Sequence, residues 1–372
     1  MSRVDLAHTQ RLVTAYADRL IDEFIEVGEV EAIATYARPL PLQILASIFG
    51  LRGSGEQARL LDVIHRMLTG GQQAQRADRE ITAILQNLVA DRRLTPQDDL
   101  ASWLIAAAPN LDDAAVREEL WLMLTAGAGA TTYWIVNALH KLVTNTRLRS
   151  ELSSGALMLD AVLRATLWDA PPAENVMGAF ARQDTMLGGR QIQAGDMLVL
   201  GLGGANHDPQ LGAGRTSYTV SNDSHLAFGA GVHRCPEPAQ KLGELIASQA
   251  VERLWHRCPH LALAGPDQPL SWGPSFVVRA LTALPVVFAP SEPGTRQAPV
   301  PPAFGGPSWQ SQSPGSRTTS PPPPPPPPGR PSPGPSTGWT RSPSTSPERG
   351  GPSSASGRSS RWNFLTRWRR GR

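Results

Sequence analysis

The sequence predicts a mainly α-helical fold with small β-sheets, followed by a disordered tail. Apolar residues recur at helical spacing through about the first 180 residues. Short apolar runs divided by Gly-Gly and Ala-Gly pairs come next and are typical of hairpins. From Pro290 onwards the chain holds 21 of its 35 prolines, and this composition buries too little apolar surface to offset chain entropy. The folded part is therefore predicted to span residues 1–289, and the tail residues 290–372.

Individual elements follow from the same patterns. A long helix is expected after Asp112, whose carboxylate is suited to cap it. Strands are expected within residues 185–203 and near residues 260–264 and 284–290. The other segments with helical periodicity are residues 11–27, 39–51, 56–70, 81–92, 157–169 and 239–255.

The net charge of +3 conceals two regions of opposite sign. The tail carries eleven arginines against two acids, so residues 1–289 are net negative. A basic nucleic-acid-binding domain is therefore not expected, and no nucleic-acid partner is predicted. No apolar run is long enough to span a bilayer, and the N-terminus lacks the pattern of a secretory signal. Two cysteines favour a reducing compartment, so the expected location is cytoplasmic.

The tail allows two interpretations. One is a solvated, disordered segment in which Pro321–Pro328 forms polyproline II. The other is a docking tether, because the last twelve residues place Trp362, Phe364 and Trp368 among arginines. Such a basic, aromatic end suits an acidic protein partner or an anionic membrane surface, to which the protein would bind peripherally.

Cys235 is the candidate metal ligand. It ends the segment Phe-Gly-Ala-Gly-Val-His-Arg-Cys at residues 228–235, just before a predicted helix. A lone cysteine is most often a buried small apolar residue. Here the glycines permit tight turns and close approach to a flat ligand, and a helix N-terminus favours the thiolate. A thiolate beneath a glycine loop suits an axial haem ligand. Cys258 follows the same His-Arg pair without the glycines, and a structural role is expected for it.

The segment FGAGVHRC resembles the haem-binding loop of the cytochrome P450 family, written Phe-x-x-Gly-x-x-x-Cys-x-Gly. AGAGATT at residues 126–132 resembles the family's oxygen-binding helix, and GGRQIQAGDMLVLGLGGANHDP resembles its paired strands. The resemblance covers residues 1–289 and implies the P450 fold without its N-terminal β-sheet and first helices. That absence predicts a truncated gene model, a fragment or a degenerate paralogue.

The resemblance also implies a cofactor, haem b. Cys235 is then the proximal iron ligand, His233 hydrogen-bonds a haem propionate, and Phe228 packs near the sulfur. Gly229 and Gly231 belong to the same haem-binding loop.

Gly127 and Gly129 lie inside the predicted long helix, where each glycine costs about 1 kcal/mol relative to alanine. By the resemblance they make room for dioxygen, and Thr131 or Thr132 orders a water for proton delivery. The acid that normally precedes this threonine is absent, because either register of the motif leaves glycine or alanine at its position. The alternative for both threonines is a hydroxyl that bonds the carbonyl of the preceding turn.

The family's Glu-x-x-Arg pair is missing as well, since Ala165 and Trp168 take its places. Asp160 and Arg164 offer a local substitute at i,i+4 spacing, although such a pair is worth only a few tenths of a kcal/mol when exposed. An actinobacterial subgroup of the family lacks the pair and continues its haem loop as Cys-Pro-x-Pro-Ala-Gln. Residues 235–240 match that pattern, so the chain resembles this subgroup.

The function implied by the resemblance is that of a haem-thiolate monooxygenase. Such an enzyme inserts one oxygen atom from O2 into a small hydrophobic substrate, with electrons from a ferredoxin or a flavoprotein. The alternative is a catalytically degenerate haem-binding or scaffold member that acts through its tail. The missing acid, ion pair and N-terminal region favour this alternative, and a third reading is a defective fragment that does not fold stably.

Overall fold

The structure is a computed structural model that describes residues 1–69, 71–211 and 222–294. All of these residues lie in one unit, Met1–Phe304. The tail segments singled out above, Pro321–Pro328 and the basic, aromatic end with Trp362, Phe364 and Trp368, lie outside the described residues. Their predicted roles and the predicted boundary at residue 289 stay predictions.

The described chain is mainly helical. Its helices are α1 (Leu6–Asp22), α2 (Pro39–Phe49), α3 (Ser54–Thr69), α4 (Gly71–Leu94), α5 (Leu100–Ala107), α6 (Asp113–Thr144), α7 (Thr146–Ser153), α8 (Leu159–Asp169), α9 (Leu202–Asn206) and α10 (Glu237–Arg257). A π-helical turn, Ile33–Ala37, precedes α2.

Three small antiparallel sheets complete the fold. The strands are β1 (Glu29–Glu31), β2 (Asn175–Phe180), β3 (Thr185–Leu187), β4 (Arg190–Ile192), β5 (Met197–Gly201), β6 (Ala262–Leu263) and β7 (Pro285–Val287). Their orders are β1-β7-β6, β2-β5 and β3-β4. In the first sheet Val30 lies opposite Val286, so the last strand of the described chain pairs with the first.

The predicted helices and hairpins are confirmed, including the cap of α6, where Asp112 Oδ1 accepts from Ala115 N at 2.7 Å. Two strands, β1 and β2, lie in the stretch that was expected to be helical throughout. Each pairs with a strand distant in sequence, which local periodicity does not reveal. No helix among the described residues has both the length and the apolar character required to cross a bilayer.

Helix α6 occupies the centre of the helical core, where it contacts α2, α4, α8 and α10. Its last third is buried almost completely, as Trp134, Ile135 and Leu139 show. This burial makes α6 the scaffold against which the segments around Cys235 are placed.

Candidate active site

Residues 228–235 form a closed loop, which we call the cysteine loop. The Cys235 backbone N–H donates to the Phe228 carbonyl at 2.9 Å and so joins the two ends. Gly229 and Gly231 have φ angles of +72° and +69°, in the left-handed region where other residues are strained. The two glycines therefore give the loop its shape, and Cys235 emerges from it just before α10 begins.

The Cys235 thiol is half-buried, and burial raises its pKa, with Arg234 opposing the shift. The thiolate character expected from the nearby helix N-terminus is therefore not found in the polypeptide by itself. Loss of hydration outweighs the neighbouring positive charge. A coordinated metal deprotonates a thiol outright, so this neutral thiol is compatible with a ligand role.

The other two loop residues predicted to meet the haem, His233 and Phe228, have different surroundings. His233 is exposed, in a short 3-10 turn at Gly231–His233, and Val232 beside it is 95% exposed. Phe228 points inwards and packs edge-on against Trp134 of α6, with ring centroids 6.0 Å apart. This aromatic contact attaches the cysteine loop to the central helix.

Directly before Trp134, α6 has one open face. Leu122, Thr125, Ala126 and Ala130 are exposed there, and a Cβ added at Gly129 would meet no atom within 4 Å. Their spacing of three and four residues places them on one side of the helix. The helix runs through this segment without a break. An open face of small side chains next to the cysteine loop leaves room for a ligand.

The structure separates the four residues predicted to handle oxygen. Gly129 lies on the open face, but a Cβ at Gly127 would come within 3.0 Å of Leu45 Cδ1 of α2. Gly127 therefore makes room for a neighbouring helix and not for a ligand. Thr131 lies two residues after Gly129, or about 200° around the helix, and faces away from the open face. Its Oγ1 would be 3.5 Å from a Cβ added at Gly243 of α10.

Thr131 and Thr132 are both buried, so the expected role of Thr131 in proton delivery on the open face does not fit its position. That ordinary role of a helix hydroxyl is seen six residues before Thr131, where Thr125 Oγ1 donates to the Trp121 carbonyl at 2.9 Å. Thr125 also carries the hydroxyl of the open face, four residues before Gly129. The sequence motif predicted a role for Thr131 and gave no signal for Thr125.

The expected substitute for the missing ion pair is wrong. Among the described residues, Asp160 accepts from Ser248 Oγ at 3.4 Å and makes no ion pair with Arg164. The charged link of α8 is instead Lys141 of α6 to Asp169, at 2.5 Å between Nζ and Oδ2. Packing of α8 against α6 selects this partner over the neighbour on its own helix.

The donor set fits a haem. No group of three or more His, Cys, Asp or Glu side chains in the described ranges could hold a bare metal ion. A single cysteine, half-buried behind a loop shaped by glycines, is the donor set of an axial ligand on a porphyrin. The open face of α6 supplies a flat ligand with space that neighbouring side chains leave free.

Comparisons with known proteins agree on one family. The chain is 29% identical over 288 residues to a mycinamicin IV hydroxylase/epoxidase from Micromonospora griseorubida, covering 73% of this chain and 70% of the relative. It is 28% identical over 295 residues to the cytochrome P450 monooxygenase PikC from Streptomyces venezuelae, covering 77% and 70%. The structure of CYP154A1 from Streptomyces coelicolor A3(2) matches with a TM-score of 0.65 and 28% identity, over 76% of this chain and 73% of that one. No family model matches the chain.

These findings, with the cysteine loop and the central helix, make the chain similar to haem-thiolate proteins. Over about three quarters of its length the chain is similar in sequence and in fold to proteins of the cytochrome P450 family, which hold haem through a cysteine. Membership of the actinobacterial subgroup that lacks the Glu-x-x-Arg pair stays a prediction.

Proposed function

We propose that this chain is a haem-thiolate monooxygenase in which Cys235 is the axial ligand of the iron. The observation that carries the proposal is the cysteine loop itself. Its closing hydrogen bond and its two left-handed glycines hold the half-buried sulfur at the start of α10. Phe228 joins the loop to α6 immediately beside the open face.

The other residues of the site have supporting roles. Because Gly229 and Gly231 have no side chains, the surface of the cysteine loop can lie close to a haem. Phe228 excludes water from the sulfur. His233, which is exposed, is free to turn a ring nitrogen towards a haem propionate. Bound haem supplies dioxygen activation, and a thiolate ligand favours O–O cleavage. Ala126 and Gly129 leave the space in which a substrate would lie.

Proton supply is unusual in this site. Ala126, Gly129 and Ala130 carry neither an acid nor a hydroxyl, and Thr131 faces α10. Thr125 Oγ1 donates to a backbone carbonyl, which leaves its lone pairs free to accept from a water on the open face. We infer that protons reach the site through water held by Thr125 or through a hydroxyl of the substrate.

The proposed substrate is a small hydrophobic molecule, because the open face presents a leucine, alanines and a glycine. A relative named for hydroxylation of mycinamicin IV supports a natural product of this kind. The proposed electron donor is a ferredoxin or a flavoprotein. Product formation with a surrogate donor, scored across hydrophobic compounds, tests both statements.

The ligand assignment is tested by the absorption spectrum of the reduced, carbon-monoxide-bound protein. Cys235→Ser is expected to lose the thiolate-type Soret band, whereas Cys258→Ser retains it. The second variant is a matched control because both cysteines lie in His-Arg-Cys-Pro segments. Loss of the band in Cys258→Ser alone, or its retention in Cys235→Ser, contradicts the assignment.

A haem-binding member without oxygenase activity is the second candidate. The observation that favours it is the lack of an acid and of a hydroxyl at residues 126, 129 and 130 of the open face. A thiolate-type spectrum with electron consumption but no oxygenated product supports this candidate. Product formation that is lost in Thr125→Val supports the monooxygenase.

We also propose that the tail docks the protein on an acidic partner or an anionic membrane surface, through the basic, aromatic residues 361–372. Co-sedimentation with anionic liposomes, with and without these twelve residues, tests the membrane version. Equal pelleting of both proteins rules it out.

A further inference from the structure

Trp168 lies near the end of α8 and is 4% exposed. Its indole Nε1–H donates to the Asn222 carbonyl at 2.7 Å. Asn222 begins the described segment 222–228, which leads directly into the cysteine loop. Trp168 therefore fastens α8 to the segment immediately before the loop.

A chain of aromatic rings extends the same connection. The Trp168 ring meets His225 edge-on at 5.9 Å between centroids, and His225 contacts Phe228 at 5.7 Å. Phe228 then packs against Trp134 of α6, and Trp134 Nε1 donates back to the Leu163 carbonyl of α8 at 3.1 Å. The segment before Cys235 is thus held between two core helices by ring contacts and by the Trp168 indole hydrogen bond, while the Trp134 indole hydrogen bond ties the two helices together.

Asn206 supplies an independent tie to the same segment. Its side chain is almost fully buried, and Nδ2 donates to the Leu167 carbonyl at 3.0 Å. Its Oδ1 accepts from the Leu226 N–H at 2.8 Å. Two polar side chains, one on α8 and one on α9, therefore hold opposite parts of segment 222–228.

We propose that Trp168 is the positioning residue of the cysteine loop. A neutral indole does this without a buried charge, and so without the desolvation penalty that an ion pair carries. The clamp explains how the loop keeps its place although Ala165 and Trp168 leave α8 with no Glu–Arg pair. This inference rests on the proposed role of Cys235 as the haem ligand.

The test compares three variants of the full chain. Trp168→Phe keeps a ring and removes the hydrogen bond to Asn222, and Trp168→Ala removes both. Trp103→Phe is the matched control. Trp103 lies in α5, its Nε1–H donates to Asp98 Oδ1 at 3.1 Å, and its ring makes no contact with segment 222–228. Amide hydrogen exchange over residues 222–235 is measured in the protein without haem. The reporters are the Leu226 N–H and the Cys235 N–H, whose acceptors are known.

Exchange over residues 222–235 is expected to rise roughly two- to tenfold in Trp168→Phe, the effect of one lost hydrogen bond. It rises further in Trp168→Ala, and stays within about twofold of the parent in Trp103→Phe. After haem loading, Trp168→Phe shows a smaller fraction of thiolate-type Soret band than the parent at equal haem content. A merely structural role would lower the melting temperature and leave that fraction unchanged.

Each outcome decides between the two proposals. If Trp168→Phe and Trp168→Ala exchange like the parent across residues 222–235, the positioning role is overturned, whatever the spectra show. If Trp168→Ala does not fold, Trp168→Phe decides alone. If exchange rises as expected but the parent shows no thiolate-type band, the clamp stands and the haem-ligand role of Cys235 is overturned.

Discussion

The tetrapeptide His-Arg-Cys-Pro occurs twice in the chain, at residues 233–236 and 256–259, and the two copies flank the same helix. In the first copy Cys235 precedes the N-terminus of α10. In the second, Cys258 caps its C-terminus, with its backbone N–H donating to Leu254 O at 2.9 Å. Identical residues therefore meet opposite ends of one helix dipole, of which the N-terminal end favours a thiolate.

Burial strengthens the contrast. Cys258 is 0% exposed, and burial raises the pKa of its thiol to about 12, whereas Cys235 is half-buried. The two arginines of the repeated tetrapeptide also differ in burial. Arg257 is buried and reaches Asp22 at 2.6 Å, whereas Arg234 is exposed. Position on the helix and the preceding glycines therefore leave one cysteine half-buried in a glycine loop, as the proposed ligand role requires, and make the other a buried helix cap.

The largest expected effect is on thiol reactivity. In the protein without haem, an alkylating reagent is expected to label Cys235 at least about a thousandfold faster than Cys258. Cys258 becomes accessible only on opening of the core, which costs several kcal/mol. Mass spectrometry over time measures both rates, with Cys235→Ser and Cys258→Ser as single-site controls. Similar rates would contradict the contrast in burial.

The next effect is on stability. Arg257→Ala is expected to lower the free energy of unfolding by about 1–2 kcal/mol, because Asp22 loses its guanidinium partner while Asp18 keeps Arg253. Arg234→Ala, the same substitution in the first copy, is expected to change it by less than about 0.5 kcal/mol. Urea denaturation measures both values. Equal effects would show that the two arginines do not differ as their burial indicates.

A comparable effect is expected from the glycines that distinguish the first copy. Gly231→Ala is expected to cost about 1–2 kcal/mol, because its φ of +69° strains any residue with a side chain. Gly129→Ala, on the open face of α6, is expected to stabilise the protein by up to about 1 kcal/mol. Thermal unfolding of the two variants measures the difference. Destabilisation by Gly129→Ala would mean that the space beside it is filled.

The smallest effect concerns acid stability in the second copy. Burial is the largest single influence and would raise the pKa of Asp22, but the hydrogen bond from Arg257, the hydrogen bond from the Gly294 N–H and the charge of Arg257 together outweigh it, so the pKa is lowered. A lowered folded pKa contributes stability above the usual value of about 3.9, and this contribution is lost as the pH falls through the folded pKa. Asp22→Asn is therefore expected to flatten the stability curve below about pH 5. Asp22→Asn should have a smaller effect on that slope in an Arg257→Ala background, where the hydrogen bond from the Gly294 N–H remains, and an undiminished effect there would exclude Arg257 as a cause.

Local sequence was enough to predict most of the helices and the cysteine loop. Capping by Asp112, the glycines before Cys235 and the prolines after α8 act within a few residues, so a pattern reveals them. The contrast between the two cysteines was predicted for the same reason, since the glycines precede only one of them. Strand β1 was not predicted, because its partner β7 lies more than 250 residues away.

Tertiary packing decided how the site is arranged. A helical pattern specifies that residues 113–144 form a helix, but neighbouring helices decide which side stays open. Leu45 of α2 fills the space beside Gly127, and α10 covers Thr131, so Gly129 and Thr125 remain on the open face. Trp168 likewise acquires its role from Asn222, a partner 54 residues away. The sequence by itself determined a cysteine at the end of a glycine loop, and packing between distant elements determined what surrounds it, because side-chain contacts across the core are not encoded in local periodicity.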